Sequence, residues 1–180
     1  MLASLSAVAG VQLLPRTASA TLVRGMTLAE LVGRSQHAII GTATDARCLY
    51  QNFGSKRMIV TETRMRVEGV LGLTAPAERE LSVRTLGGQL DGAGELVHGQ
   101  AEFGRGKPCV AFFERTPDGL CWVTGMAQGH YPLNQTDSAL VLQASPQLPA
   151  IVDWEQSAVK RLVGAHLDQA ERLIAAVKSR

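Results

Sequence analysis

Ile59-Val60-Thr61-Glu62-Thr63-Arg64-Met65-Arg66-Val67-Glu68-Gly69-Val70-Leu71 decides the fold class. In an extended chain Ile59, Thr61, Thr63, Met65 and Val67 point one way. Glu62, Arg64, Arg66 and Glu68 point the other. This is a period of two, kept through most of the stretch. Its β-branched residues suit a pleated surface with one wet face. A strand this long needs partners on both edges, and apolar runs downstream supply them.

Working outward, His37-Ala38-Ile39-Ile40-Gly41-Thr42-Ala43-Thr44 reads as a strand running on to Cys48-Leu49-Tyr50, with a bulge at Gly41. Asn52-Phe53-Gly54-Ser55 turns it into the long strand as a hairpin. Glu80 to Leu86 is a third strand, with Leu81, Val83 and Thr85 on one face. Cys109 to Glu114 is a fourth. Thr116-Pro117-Asp118-Gly119 is a type I turn into a fifth, Leu120 to Gly125. Upstream, Thr27-Leu28-Ala29-Glu30 is a capping box for a short helix ending near Gly33 or Ser35, with Met26 stapled onto Leu31. Downstream, 134–152 is a polar, proline-bearing linker in which Ala139-Leu140-Val141-Leu142 forms a short edge strand. Asp153 caps a helix from Trp154 to about Lys178, whose stripe includes Val159, Leu162, Val163, Leu167, Ala170, Leu173, Ile174 and Val177.

These elements predict an α+β, β-rich domain over 21–133. Its body is a five-stranded antiparallel OB-like barrel or curved sheet. A short N-terminal helix precedes it, and a long C-terminal amphipathic helix, 153–178, packs on it.

Residues 1–20 have the plan of a secretory signal peptide: an apolar stretch, Pro15, and the A-x-A cleavage site Ala18-Ser19-Ala20. No Lys or Arg precedes the apolar stretch. Export to the periplasm or beyond is expected, with Thr21 first in the mature chain. The stretch is short of the roughly 20 apolar residues of a membrane span. No second candidate follows, so no span is expected after signal removal.

The chain of 180 residues suits one domain with a real core. Its 18 basic and 16 acidic residues leave a net charge of +2, falling to +1 once Arg16 leaves with the leader. No Lys/Arg run concentrates that charge, and aromatic residues are only 4%, so nucleic acid is not an expected partner.

From Gly87 to Gly106 the texture changes. Gly87, Gly88, Gly92, Gly94, Gly99, Gly104 and Gly106 hold left-handed turns cheaply, which suits a binding loop laid across one end of the sheet. Gly104-Arg105-Gly106-Lys107 lacks Walker spacing, and Pro108 follows where Ser or Thr is required, so it is not a phosphate loop. Asp91 and Glu95 bracket a turn. Two carboxylates fall short of the roughly six to eight oxygens calcium prefers. No metal or cofactor is therefore expected. Gln128, His130 and Tyr131 form a rim after the last strand.

The cysteines, Cys48, Cys109 and Cys121, allow two readings: a bridge from Cys48 to Cys109 or Cys121, or three reduced thiols packed as small hydrophobes. Centring the last hairpin on Pro117-Asp118 sets Cys121 opposite Glu114 and puts Cys109 and Cys121 on opposite faces. A Cys109–Cys121 bridge is therefore the least expected.

The order Leu28-Ala29-Glu30-Leu31-Val32, His37-Ala38-Ile39-Ile40-Gly41-Thr42, Thr63 to Leu71 and Val83-Arg84-Thr85-Leu86-Gly87-Gly88 resembles an uncharacterised family of exported, β-rich bacterial proteins of the myxobacterial type. So do Val97-His98-Gly99, Phe103-Gly104-Arg105-Gly106, Val110-Ala111-Phe112-Phe113, Val123-Thr124-Gly125 and Gln128-Gly129-His130-Tyr131. The resemblance spans roughly 27–133. It implies export and a compact β domain, with no known chemistry attached. The three cysteines and the uncharged start of the leader depart from its pattern. The strand order is also similar to the OB-like netrin modules of tissue inhibitors of metalloproteinases. Those inhibitors ligate the target's zinc through an N-terminal cysteine, where this chain is expected to begin at Thr21.

Two functional readings follow. The first is a non-enzymatic exported binding module for a protein or envelope component, using Gly87, Gly88, Asp91, Glu95, His98, Gln128, His130 and Tyr131. The second is a hydrolase or metal-dependent enzyme using His98 or His130 with Asp91 or Glu95, or, on the likeness to the netrin modules, a protease-inhibitor-like module. The H-E-x-x-H and G-x-S-x-G motifs that accompany such chemistry are absent.

Overall fold

The computed structural model describes residues 22–117, 119–136 and 139–179. The expected leader lies outside them. The chain runs β1 (Leu22–Arg24), α1 (Leu28–Arg34), β2 (His37–Phe53), β3 (Lys56–Val70) and β4 (Glu80–Leu86). It continues with β5 (Gly88–Leu90), β6 (Ala93–Glu95), β7 (Pro108–Arg115), β8 (Cys121–Val123), β9 (His130–Gln135) and β10 (Leu140–Leu142). It closes with β11 (Ala150–Val152), α2 (Ala158–Leu162) and α3 (Leu167–Lys178).

The main sheet has seven strands in the order β10-β9-β7-β2-β3-β4-β8, and β8 pairs back onto β7. Strands β2, β3, β4, β8 and β7 thus form a closed ring. The expected five-stranded antiparallel arrangement is corrected in two ways. The sheet is mixed, because β4 and β8 run parallel. A closed ring with an odd number of strands cannot alternate direction all the way round, so one neighbouring pair has to be parallel. The sheet is also wider than expected. The segment read as a rim supplies β9, the edge strand expected at 139–142 is present beyond it as β10, and the end of the linker forms the small parallel pair β1–β11.

The long hairpin follows from its pattern. Register shifts fall between Ile40 and Gly41 and between Ala43 and Asp45, so β2 bends as it passes from β7 to a pairing with β3 alone. A Cβ on Gly41 would stand 2.7 Å from the Arg66 carbonyl oxygen, which is why the bend carries a glycine.

Two cores form. Ile39, Met65, Val83, Ala111, Phe113 and Val123 fill the ring. Leu28, Leu31, Leu162 and Ile174 of the helices pack with Phe112 and Leu142 of the sheet as a second core, the helix layer on the ring's outer face. Strand β7 serves both cores by alternation, so its sequence reads as one apolar run. The capping box of α1 closes as expected: Thr27 Oγ1 accepts from Glu30 N–H at 3.2 Å, and Glu30 Oε2 accepts from Thr27 N–H at 2.7 Å.

The single C-terminal helix is corrected to two. Asp153 adopts a left-handed conformation and does not cap. Ser157 caps α2 through Lys160 N–H at 3.1 Å. Gly164, at φ 83°, breaks the helical path, and α3 starts anew after His166. The break has a use. Leu142 N–H bonds Ala165 O, and Gly164 N–H bonds Leu142 O, which satisfies the edge of β10.

All three cysteines are free thiols. The last hairpin sets Arg115, not Glu114, opposite Cys121. Thr116 O accepts from Gly119 N–H while Thr116 N–H reaches Leu120 O, and Gly119 sits at φ 82°. Gly119, left-handed at the end of the loop, adds a residue to it and shifts the register by one. Cys109 and Cys121 therefore face the same core, not opposite faces. The register keeps them apart, since Cys121 pairs with Arg115, roughly 20 Å along β7 from Cys109 at strand rise. Burial pushes the Cys109 thiol up to about 12.

Candidate functional site

Along β3 the inward face changes chemistry. Met65 is apolar and fully buried, then Thr63 and Thr61 follow toward one end of the ring, with Thr85 of β4 opposite Thr61. The ring interior therefore ends in a threonine floor. Over that floor lies a cleft of about 500 Å³, walled on one side by the glycine loop.

Short polar ties hold the loop. Gly87 N–H donates to Ile59 O at 2.8 Å, and Ile59 N–H donates to Glu95 Oε2 at 2.8 Å, so both backbone groups of Ile59 clip the β5–β6 hairpin to β3. Thr61 Oγ1 donates to Gly87 O at 2.8 Å. The hairpin turns at Asp91-Gly92 with φ 52° and 77°, the two positive values a two-residue hairpin loop favours. Gln100 Oε1 accepts from Leu86 N–H at 3.3 Å. Farther on, Ala127 N–H holds Gly99 O, and Gly106 N–H holds Ala43 O, each at 2.8 Å. Ala101 is buried and Phe103 packs against the ring core. Leu96 stands at the rim, 76% exposed.

The floor carries unused hydrogen-bonding capacity. Thr63 is 3% exposed and Thr85 6%, both line the cleft, and neither hydroxyl has a hydrogen-bond partner among the described residues. The buried side-chain polar atoms that lack a partner among the described residues are Arg115 Nε and Tyr131 Oη, so the two threonine hydroxyls are open to the cleft, where water or another molecule can bond to them.

No family model, no curated protein and no solved structure matches the chain. The site therefore rests on its own geometry.

Of the residues singled out from sequence, Gly87, Gly88 and Glu95 line the cleft. Glu95 is engaged in positioning Ile59. Asp91 is a turn residue, and His98 is exposed on the loop away from the cleft lining. The expected rim is corrected, because Gln128, His130 and Tyr131 are all buried. Gln128 ties down the N-terminal segment: its Oε1 accepts from Met26 N–H at 2.8 Å and its Nε2 donates to Arg24 O at 3.1 Å. Tyr131 is enclosed in the helix-layer core with no partner for its hydroxyl among the described residues, and burial raises its pKa. His130 Nδ1 lies 3.0 Å from Ser145 Oγ, and burial pushes its pKa down to about 4. Among the described residues no carboxylate touches His98 or His130, and no group of three or more His, Cys, Asp or Glu side chains is placed to hold a metal.

The reading from sequence missed the floor itself. Thr61 and Thr63 stood on the inward face of the 59–71 alternation, and a polar pair on a face otherwise apolar was the available signal.

Proposed function

We propose that the chain is an exported binding module of the bacterial envelope whose site is the cleft at the mouth of the strand ring. The observation that carries this is that Thr63 and Thr85, otherwise almost wholly buried, each open a hydroxyl with no partner among the described residues into a roomy cleft. Barrel mouths are favoured places for such sites, since a rigid wall on one side and a loop on the other fix the occupant. The ring β2-β3-β4-β8-β7 is read as an OB-like barrel extended by two strands. In that reading the glycine loop is the connection between the third and fourth barrel strands. The partner is a protein or envelope component that inserts a group into the mouth. Hydrolysis through His98 or His130 gains no support from the contacts those residues make.

Ala46 is exposed and lines the cleft beside Thr63, so Ala46→Trp fills the mouth without disturbing the core. An envelope extract passed over wild type and Ala46→Trp should yield a component held by the first and lost from the second at unchanged melting temperature. Equal capture by both places the binding elsewhere and refutes the reading. Export is checked by the intact mass of protein from an envelope fraction, expected to begin at Thr21.

A further inference from the structure

We infer that the mouth accepts an apolar molecule with an uncharged or cationic hydrogen-bonding head and rejects carboxylates and phosphates, an inference that rests on the mouth being the binding site. Two observations of the lining carry it.

The first is the sign of the lining. Among the described residues Glu95 and Glu102 are the charged residues that line the cleft, and no Lys, Arg or His does. Arg105 and Lys107 belong to the same loop but are exposed and lie outside the lining. Glu102 Oε2 accepts from Gln147 Nε2 at 2.8 Å, and Glu95 Oε2 accepts from Ile59 N–H. One oxygen of each carboxylate is left without a donor among the described residues. An anion entering here loses its water, finds no cation and meets like charge, which is the costly arrangement.

The second is the donor and acceptor inventory. Each threonine hydroxyl offers one donor and two acceptor positions. Gln100 has its oxygen committed to Leu86 N–H, so its amide nitrogen remains to donate. The floor can thus both give and receive, which matches an amide or alcohol. An ammonium is served by the hydroxyl oxygens and the free carboxylate oxygens. The walls supplied by Leu86, Leu96, Val97 and Phe103 are apolar and take a hydrocarbon portion.

The test uses three probes sharing one six-carbon chain: hexanamide, hexylamine (cationic at pH 7) and hexanoate. Each is titrated into ¹⁵N-labelled protein while the backbone amides of Thr63, Thr85 and Gln100 are followed. Hexanamide and hexylamine should shift those amides saturably, with hexanoate at least about tenfold weaker. Thr85→Val, which keeps the side-chain shape, should weaken hexanamide by about fivefold with the fold's spectrum otherwise intact. If no probe moves those amides at concentrations up to about 20 mM, weaker than the millimolar end of ordinary affinities, the mouth is not a small-group site and the underlying reading falls. If hexanoate binds as well as hexanamide, the site stands and the charge selection is overturned. If Thr85→Val binds hexanamide as tightly as wild type does, the threonine floor is not the recognition element.

Discussion

The ring of His130 meets the ring of Phe103 edge-on, with centroids 4.8 Å apart and planes at 65°. Phe103 walls the cleft on its other side, so the buried histidine and the site share one aromatic partition. Burial holds the His130 pKa down at about 4, against an unfolded value near 6.5. The unfolded chain therefore binds more protons at this residue between those two values. Stability should be fully present above pH 6.5 and fall as pH drops toward 4, by on the order of 3 kcal/mol in all. Urea unfolding at pH 7 and pH 5 separates this from the paired carboxylates, whose contribution is lost only at lower pH. His130→Gln should flatten the slope between pH 7 and 5, and an unchanged slope would exclude His130 as its source.

Phe103→Ala opens the partition. The side chain is half-buried, so its truncation should cost about 2 kcal/mol, below the range for a fully enclosed phenylalanine. Water then reaches His130, and its pKa should climb from about 4 toward the ordinary histidine range. An NMR titration of the imidazole reads this directly. A pKa still near 4 in the variant would mean that other neighbours, not Phe103, exclude the water.

Gly88 and Gly92 make a matched pair for the loop. Both have positive φ, 137° and 77°. A Cβ at Gly88 would stand 2.6 Å from Cys48 Sγ and 2.7 Å from Thr61 Oγ1, whereas one at Gly92 meets nothing within 4 Å. Gly92→Ala should cost about 1 kcal/mol, the backbone penalty alone. Gly88→Ala should cost at least about twice that, since backbone strain and collision add. Adding Cys48→Ala to Gly88→Ala should recover part of the loss but not all, because Thr61 and the φ angle remain. Equal melting temperatures for the two glycine variants would contradict the close packing.

What the sequence disclosed follows the range over which its signals act. The Thr27–Glu30 capping box is local, and it closes as read. The alternation of 59–71 separates Glu62 and Arg64 from Thr63 and Met65 correctly because the period of a strand belongs to the strand. The parallel partnership of Val83 with Cys121 has no local signature and follows from closing a ring of five. The one-residue register error at Cys121 came from treating the last turn as symmetric, when Gly119 adds a residue to the loop. The Val159–Val177 stripe concealed a break at Gly164, since an isolated glycine inside a helical pattern is tolerated at modest cost and does not by itself signal an end. At the site, Gly87 and Gly88 were found from composition. The threonine floor was overlooked because threonine is ordinary in strands, and only its place at the base of a cleft sets it apart.

On the outer face of the ring Glu62 lies between two arginines. Arg84 Nη2 reaches Glu62 Oε2 and Arg47 Nη2 reaches Glu62 Oε1, each at 2.7 Å. The Arg84 hydrogen bonds, ahead of those from Arg47, hold the Glu62 carboxyl below its ordinary pKa. Side-chain exposure is 16% for Arg84 and 74% for Arg47. Double-mutant cycles should therefore give a coupling of about 1–2 kcal/mol for Arg84–Glu62 and under about 0.5 kcal/mol for Arg47–Glu62. Both terms should fade as pH falls through the lowered Glu62 pKa, because the depressed carboxylate contributes only while ionised. Equal couplings would mean that burial does not decide the strength of these pairs.

Gln128 is a structural tie for the N-terminal segment, and truncating it should show as a local loosening. Gln128→Ala leaves Met26 N–H without its acceptor and Arg24 O without its donor, both in a partly buried setting. The loss should be about 1–3 kcal/mol. Gln128→Glu keeps the acceptor for Met26 but sets a carboxylate oxygen against the Arg24 carbonyl, so it should rescue little. Native-state hydrogen exchange locates the effect. Protection should fall at Met26 and at Gly25, whose N–H bonds Val152 O across the β1–β11 pair. The amides of Val110 and Phe112, deep in the main sheet, should exchange only through global unfolding, slowed less than in wild type by the lost stability alone. Uniform loss of protection across Gly25, Met26 and Val110, with no added local opening, would show that Gln128 supports the whole fold and not the segment it bonds.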